Sequence, residues 1–166
     1  MAKKGLSCEL IGLDEAVKRL EDLSKGADDI MSKALYEGCK VMADALKAEI
    51  HSLPEDSGFK RIPHDPKRNV VGSHDKEDML SHMGISHFRS ETGKVYARIS
   101  FNGYGQVQTK KFPNGRPVVL IARSINSGSS VRVKHPFIKP AISKSKAAAF
   151  EKMRSVVYDE LKKSGG

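Results

Sequence analysis

Three histidines, His74, His82 and His87, stand close together in the chain, with Asp75, Glu77 and Asp78 beside the first two. Imidazoles and carboxylates are the groups that hold zinc or a catalytic divalent cation. Such sites need short, defined spacings on one helix face or hairpin, and these spacings match no such pattern. His64, Asp65 and His74 are the right types for a metal nuclease, which needs a metal-bound water and a general base. Nothing in the sequence fixes their mutual geometry. The histidines therefore read as solvated loop residues, and no metal or cofactor is expected.

Nucleophilic and phosphate-cradling chemistry fares no better. Cys8 and Cys39 are the only cysteines, and neither lies in a cysteine pair or a nucleophile motif. Each reads as a buried or half-buried thiol, since an unmodified cysteine packs as a small hydrophobe. Two cysteines cannot build a disulfide framework, which points to synthesis in a reducing cytoplasm. No Gly-x-Gly-x-x-Gly follows a strand, no Gly-Lys-Ser/Thr loop occurs, and Gly103-Tyr104-Gly105 is too short to count. The expectation is a protein without catalysis.

Charge is the stronger signal. The net charge is +9, but residues 1–93 hold 14 Lys/Arg and 17 Asp/Glu, whereas residues 94–166 hold 15 and 3. No acidic residue occurs between Glu91 and Glu151. Lys110, Lys111, Arg116, Arg123, Arg132 and Lys134 are the candidate basic face. Clustered cations suffice for phosphate-backbone contact, so a basic nucleic-acid-binding protein is one reading. Against it, aromatics are 6% with no tryptophan, and no helix-turn-helix or zinc-finger signature appears. A solvated basic face, or one that meets an acidic protein patch, remains open.

The elements that must position these groups follow from periodicity. At 166 residues one domain is the natural expectation, 1–166, with a polar loop over 53–78 and a frayed tail at 164–166. A hydrophobic content of 39% against 30% charged residues, with a mean hydropathy of −0.44, fits a polar globular chain. No apolar run approaches the length of a membrane span, and Met1 to Gly5 is basic with no apolar segment after it, unlike a signal peptide. Ser7 to Gly12 reads as a short strand, and Leu13, Val17, Leu20 and Leu23 stripe a first helix. A second, longer helix carries Met31, Leu35, Gly38, Met42, Leu46 and Ile50 on one face. Glycine costs about 1 kcal/mol inside a helix, so Gly38 predicts close packing against a neighbouring element.

After the polar loop, Lys76 to Met83 suggests a helical turn. Gly84 to Ser90 and Lys94 to Asn102 read as strands joined at Glu91-Thr92-Gly93. Gln106 to Lys111 is expected to continue a strand, with a turn at Phe112-Pro113-Asn114-Gly115. The apolar run Pro117 to Ile125 fits either a short helix or a buried strand, and the helix is favoured because Val118, Ile121, Ala122 and Ile125 share one helical face. The final helix is striped by Phe150, Met153, Val157 and Leu161. The fold class is α+β: N-terminal helices, a small antiparallel hairpin, a long polar loop and a C-terminal helix.

His135-Pro136-Phe137-Ile138-Lys139-Pro140-Ala141 leads into that last helix, since proline is tolerated in a first helical turn. Pro136, Phe137, Ile138 and Pro140 are the candidate subunit or partner contacts. This stretch also carries a resemblance. Leu10-Ile11-Gly12-Leu13-Asp14-Glu15 with a leucine-striped helix, then the long helix with Ala34-Leu35 and Gly38, then a hairpin, an apolar segment and a His-Pro-Phe-x-x-Pro-Ala motif resemble the tail-completion proteins of tailed phages, also described as minor tail or head–tail joining proteins. The resemblance runs through nearly the whole chain in order. Where members read Thr-Gly-x-Leu after the long helix, this chain has Asp56-Ser57-Gly58-Phe59 and a polar insert. It has Ser124 to Asn126 where members often place an acid and an aromatic.

The resemblance implies a non-enzymatic virion part of the neck, made in the host cytoplasm. It implies a homo-oligomeric ring, taken as a hexamer, between a head connector or stopper protein and a tail tube protein. Genomic DNA would pass it, and no membrane is involved. The charge split between the two halves of the chain suits head-to-tail contacts between subunits.

Overall fold

The computed structural model describes residues 27–55, 71–89, 95–129 and 132–164. In chain order these form helices α1 (Ala27–His51) and α2 (Ser73–Ser81), strands β1 (Met83–Arg89) and β2 (Val95–Phe101), and helices α3 (Val118–Ser127) and α4 (Ile138–Ser164). Four helices and a two-stranded antiparallel sheet make the α+β class expected from the sequence. The Ser7–Gly12 strand, the helix beginning at Leu13, Cys8, His64, Asp65, the Glu91-Thr92-Gly93 turn and most of the polar loop lie outside the described residues. Among the described residues no helix is long and apolar enough to cross a membrane.

The chain divides into two compact units. The first takes α1 as far as Ala43, the hairpin between Ile85 and Ile99, and α4 from Ser145. Its core joins Ala34 and Leu35 of α1 to Met153 and Val156 of α4, with Val95, Ala97, Phe150 and Val157 packed against them. Gly38 is the reason the two helices come so close. A Cβ placed there would lie 2.6 Å from Met153 Cγ and 2.9 Å from its Sδ, inside any normal van der Waals contact. Of the stripe expected on α4, Met153 is buried but Phe150, Val157 and Leu161 are half-buried; the buried line instead runs through Ala149, Met153 and Val156. Lys33 of α1 and Glu160 of α4 close the outer edge as an ion pair. Cys39 is a buried thiol.

The second unit holds α1 from Asp44, residues to Gly84, and 100–144. Leu46, Ile50 and Leu53 are buried, so the apolar stripe of α1 continues through its last turns. α2 packs on α3, and the four residues expected to share a face of α3, Val118, Ile121, Ala122 and Ile125, are all buried. Pro117 stands just before α3, where its missing N–H has no consequence. Phe101 and Phe137 meet edge to face, with ring centroids 6.4 Å apart, a favoured aromatic geometry.

Two expectations need correction. The stretch taken as a polar loop to Asp78 is helical from Ser73, because Asp75 accepts the Gly72 N–H at 3.3 Å and starts a helix whose inner side buries Asp78 and Met79. Residues Gln106 to Lys111 do not continue a strand. They enter a tight turn, since Thr109 and Phe112 exchange both backbone hydrogen bonds, at 3.0 and 2.9 Å.

Candidate functional site

The excursion from Gly103 to Val118, within the second unit, is the most elaborately fixed non-helical segment among the described residues. At its base, Val118 N–H donates to the Gly103 carbonyl at 3.1 Å, Gly105 N–H to the Arg116 carbonyl at 2.8 Å, and Tyr104 pairs antiparallel with Pro117. Further out, Thr109 and Phe112 pair, with Phe112 N–H also donating to Thr109 Oγ1 at 3.1 Å. Lys110 and Lys111 are thereby the two central residues of the turn at the tip. The segment is a short ribbon with two lysines at its apex.

Two glycines and one acid lock this ribbon. Gly115 sits at φ +90°, and a Cβ there would overlap the Gly105 carbonyl oxygen. Only glycine combines that backbone conformation with so close an approach. The Phe112-Pro113-Asn114-Gly115 turn expected from the sequence closes with Gly115 N–H donating to the Phe112 carbonyl at 3.1 Å. Asp78 reaches from α2 with only 1% of its surface exposed. Both of its carboxylate oxygens accept the Gln106 N–H, each at 3.1 Å. The carboxylate sits where a Gly105 Cβ would be. A buried carboxylate is tolerated when it is hydrogen-bonded, and bonds to a charged acceptor are the stronger kind.

The basic residues expected on one face separate into two groups. Lys110, Lys111, Arg123 and Lys134 are exposed and Arg116 is half-buried. None of the five has an ion-pair partner among the described residues. Lys111 instead lies over the Phe112 ring, 5.8 Å from its centroid. Arg132 does not belong with them. Its guanidinium is 10% exposed, pairs with Asp75 at 2.5 Å and donates to Ser124 Oγ at 3.2 Å. Asp75 therefore both starts α2 and anchors the segment before α4.

The proline-bracketed motif is likewise explained from within its unit. Asn126, in the last turn of α3, accepts the N–H groups of Phe137 and Ile138, both at 3.2 Å. His135 N–H donates to the Ile125 carbonyl at 2.8 Å. Asn126 thus satisfies donors that the first turn of α4 would leave without partners. Phe137 is 1% exposed, so this candidate contact residue is a core side chain of its own unit. Pro136 is exposed, and Ile138 and Pro140 are half-buried.

Among the described residues, the histidines and acids around α2 are engaged with other groups. His74 is exposed beside Glu77, and His82 Nδ1 lies within hydrogen-bond distance of Ser81 Oγ and the Asp78 carbonyl. The carboxylates of Asp75 and Asp78 are engaged by Arg132 and the ribbon. Among the described residues no three histidine, cysteine or carboxylate groups converge.

Sequence reasoning missed Asp78, Asn126 and the ribbon geometry. Gly103-x-Gly105 and Asn114-Gly115 were the available signals, since closely spaced glycines often mark backbones that approach one another. Compared with family models, with curated proteins and with solved structures, the chain significantly matches none.

Proposed function

We propose that the chain is a structural component of a tailed-phage neck, a tail-completion or head–tail joining protein that works by assembly and performs no reaction. The observation that carries the reading is the path into α4. Phe137 is buried, Asn126 caps the helix, and α3, the His-Pro-Phe-x-x-Pro-Ala motif and the last helix succeed one another in the order of the family that the sequence resembles. The long helix with its close-packing Gly38 and the following hairpin support the same order. Among the described residues, Asp75, Asp78 and Arg132 have structural partners, which is in keeping with this reading.

In this reading the protein is a homo-oligomeric ring, a hexamer, seated in the virion between a head connector or stopper and the tail tube. A closed ring requires two different surfaces on each subunit that complement each other head to tail. Sedimentation velocity with negative-stain electron microscopy tests this, using the chain alone and mixed with tail tubes of the phage that carries it. Rings in either sample are the expected result. A species that stays at 18.2 kDa at high concentration and leaves tail-tube ends bare would overturn the proposal.

A further inference from the structure

We infer that Asn102–Gly103 is a self-modifying site, where the asparagine loses its side-chain amide through a succinimide, and that the fold holds the same reaction shut at Asn114–Gly115. The inference goes beyond the assembly reading and does not depend on it, since it concerns two dipeptides within one subunit.

The sequence supplies the reactive pairs. Of the four asparagines in the chain, Asn102 and Asn114 are each followed by glycine. Glycine has no Cβ to shield its backbone nitrogen. Once hydroxide removes its proton, that nitrogen attacks Cγ of the preceding asparagine. The new N–Cγ bond closes a succinimide ring, the Cγ–Nδ2 bond breaks, and the amide nitrogen takes up a proton and leaves as ammonia. Water then opens the ring. Cleavage of the N–Cγ bond gives aspartate. Cleavage between the same nitrogen and the asparagine's own main-chain carbonyl gives isoaspartate, with the chain rerouted through the side chain. The sequence of steps needs only water and hydroxide.

The structure separates the two sites. An imide nitrogen carries no hydrogen, so ring closure is opposed wherever the glycine N–H is a hydrogen-bond donor. The Gly115 N–H donates to the Phe112 carbonyl at 3.1 Å. Gly115 is also buried, with φ +90° and its backbone packed on the Gly105 carbonyl too closely for a Cβ. Reaction there must break the bond and shift that backbone. Asn102 and Gly103 are both exposed, and the Gly103 N–H has no acceptor among the described residues. Asn102 Nδ2 donates to Ser100 Oγ at 3.3 Å, longer than the usual N–H···O bond.

The product acts on the base of the 103–118 segment. Either outcome puts a carboxylate at position 102, inside a stretch from 92 to 150 that has none. Isoaspartate also lengthens the main chain by one carbon between the Asn102 N–H, which donates to the His82 carbonyl at 2.9 Å, and the Gly103 carbonyl, which accepts from Val118 at 3.1 Å. Those two bonds fix the register that the extra atom disturbs.

The test incubates the whole chain in mildly alkaline buffer, folded or in urea. Digested peptides are then mapped by mass spectrometry with fragmentation that tells isoaspartate from aspartate. In the folded chain Asn102 is expected to convert at least about tenfold faster than Asn114, because a bonded, buried site reacts only through its open fraction. In urea the two should convert at similar rates. Hydrogen exchange of the folded chain adds a readout free of the chemistry, with the Gly103 amide exchanging fast and the Gly115 amide protected. Equal rates at the two asparagines in the folded chain would overturn the inference. So would faster loss at Asn114, or conversion of Asn102 only in urea.

Discussion

Asp78→Ala removes a side chain that ties the ribbon to α2. The wild-type carboxylate is buried and accepts the Gln106 N–H at 3.1 Å through both oxygens. Hydrogen bonds to charged groups contribute about 1.5–3 kcal/mol, and truncation leaves the donor without its acceptor. The whole loss falls on the ribbon base. At about 1.4 kcal/mol per decade, native-state exchange of the Gln106 amide should accelerate by roughly 10- to 150-fold. For a chain of this size each kcal/mol lowers the melting temperature by about 2–4 °C, so a fall of roughly 3–12 °C is expected. Asp78→Asn keeps one acceptor of similar shape and should fall between the two. If the Gln106 amide exchanges at the wild-type rate in Asp78→Ala, the carboxylate does not hold the ribbon and the reasoning fails.

Other substitutions read other parts of the structure. Gly115→Ala places a side chain at φ +90° and against the Gly105 carbonyl, a strain of at least about 1–3 kcal/mol. It should be seen as lost protection of the Gly105 amide, and an unchanged amide would contradict it. Gly38→Ala gains about 1 kcal/mol of helix propensity but drives Cβ into Met153, and overpacking of that kind costs about 1–3 kcal/mol. The net effect should be destabilising in urea titrations, and Met153→Ala should abolish the penalty in a double-mutant cycle. Phe137→Ala empties a fully buried aromatic site beside Phe101 and should cost about 3–5 kcal/mol in the same assay.

The pH dependence of the Lys33–Glu160 pair has a defined sign. Hydrogen bonds from Lys33 first, and then from Lys163, hold the Glu160 carboxyl below its ordinary value. A lowered folded-state pKa contributes stability above the unfolded value, and that stability is lost as pH falls through the folded one. Lys33→Met should therefore lower stability at neutral pH and converge with the wild type in acid. A difference that persists in acid would show that the pair acts through packing instead.

Elements with regular apolar spacing were legible in the sequence. The face of α1 and the shared face of α3 follow from periodicity, because each has one buried side, whereas β2 is half-buried along its length up to a buried Phe101 and α4 buries Ala149 and Val156 beside Met153 rather than the expected line. Gly38 was legible as a close approach because a helix rarely carries a glycine without cause, and Met153 supplies that cause. The ribbon was not legible. Its hydrogen bonds are between backbone groups, and its anchor, Asp78, is an acid inside a polar stretch whose composition suggests solvent exposure. The same applies to Arg132, which sequence places with the other cations and tertiary structure places against Asp75. Polar residues reveal their role only through partners that are distant in the chain.

The central claim, that this chain joins heads to tails, is tested most directly by disrupting its gene in the phage or prophage that carries it. Particles from the disrupted and intact strains are then counted by electron microscopy. The account predicts filled heads and separate tails, rejoined when the wild-type chain is supplied from a plasmid. Intact, joined virions made without the chain would contradict it.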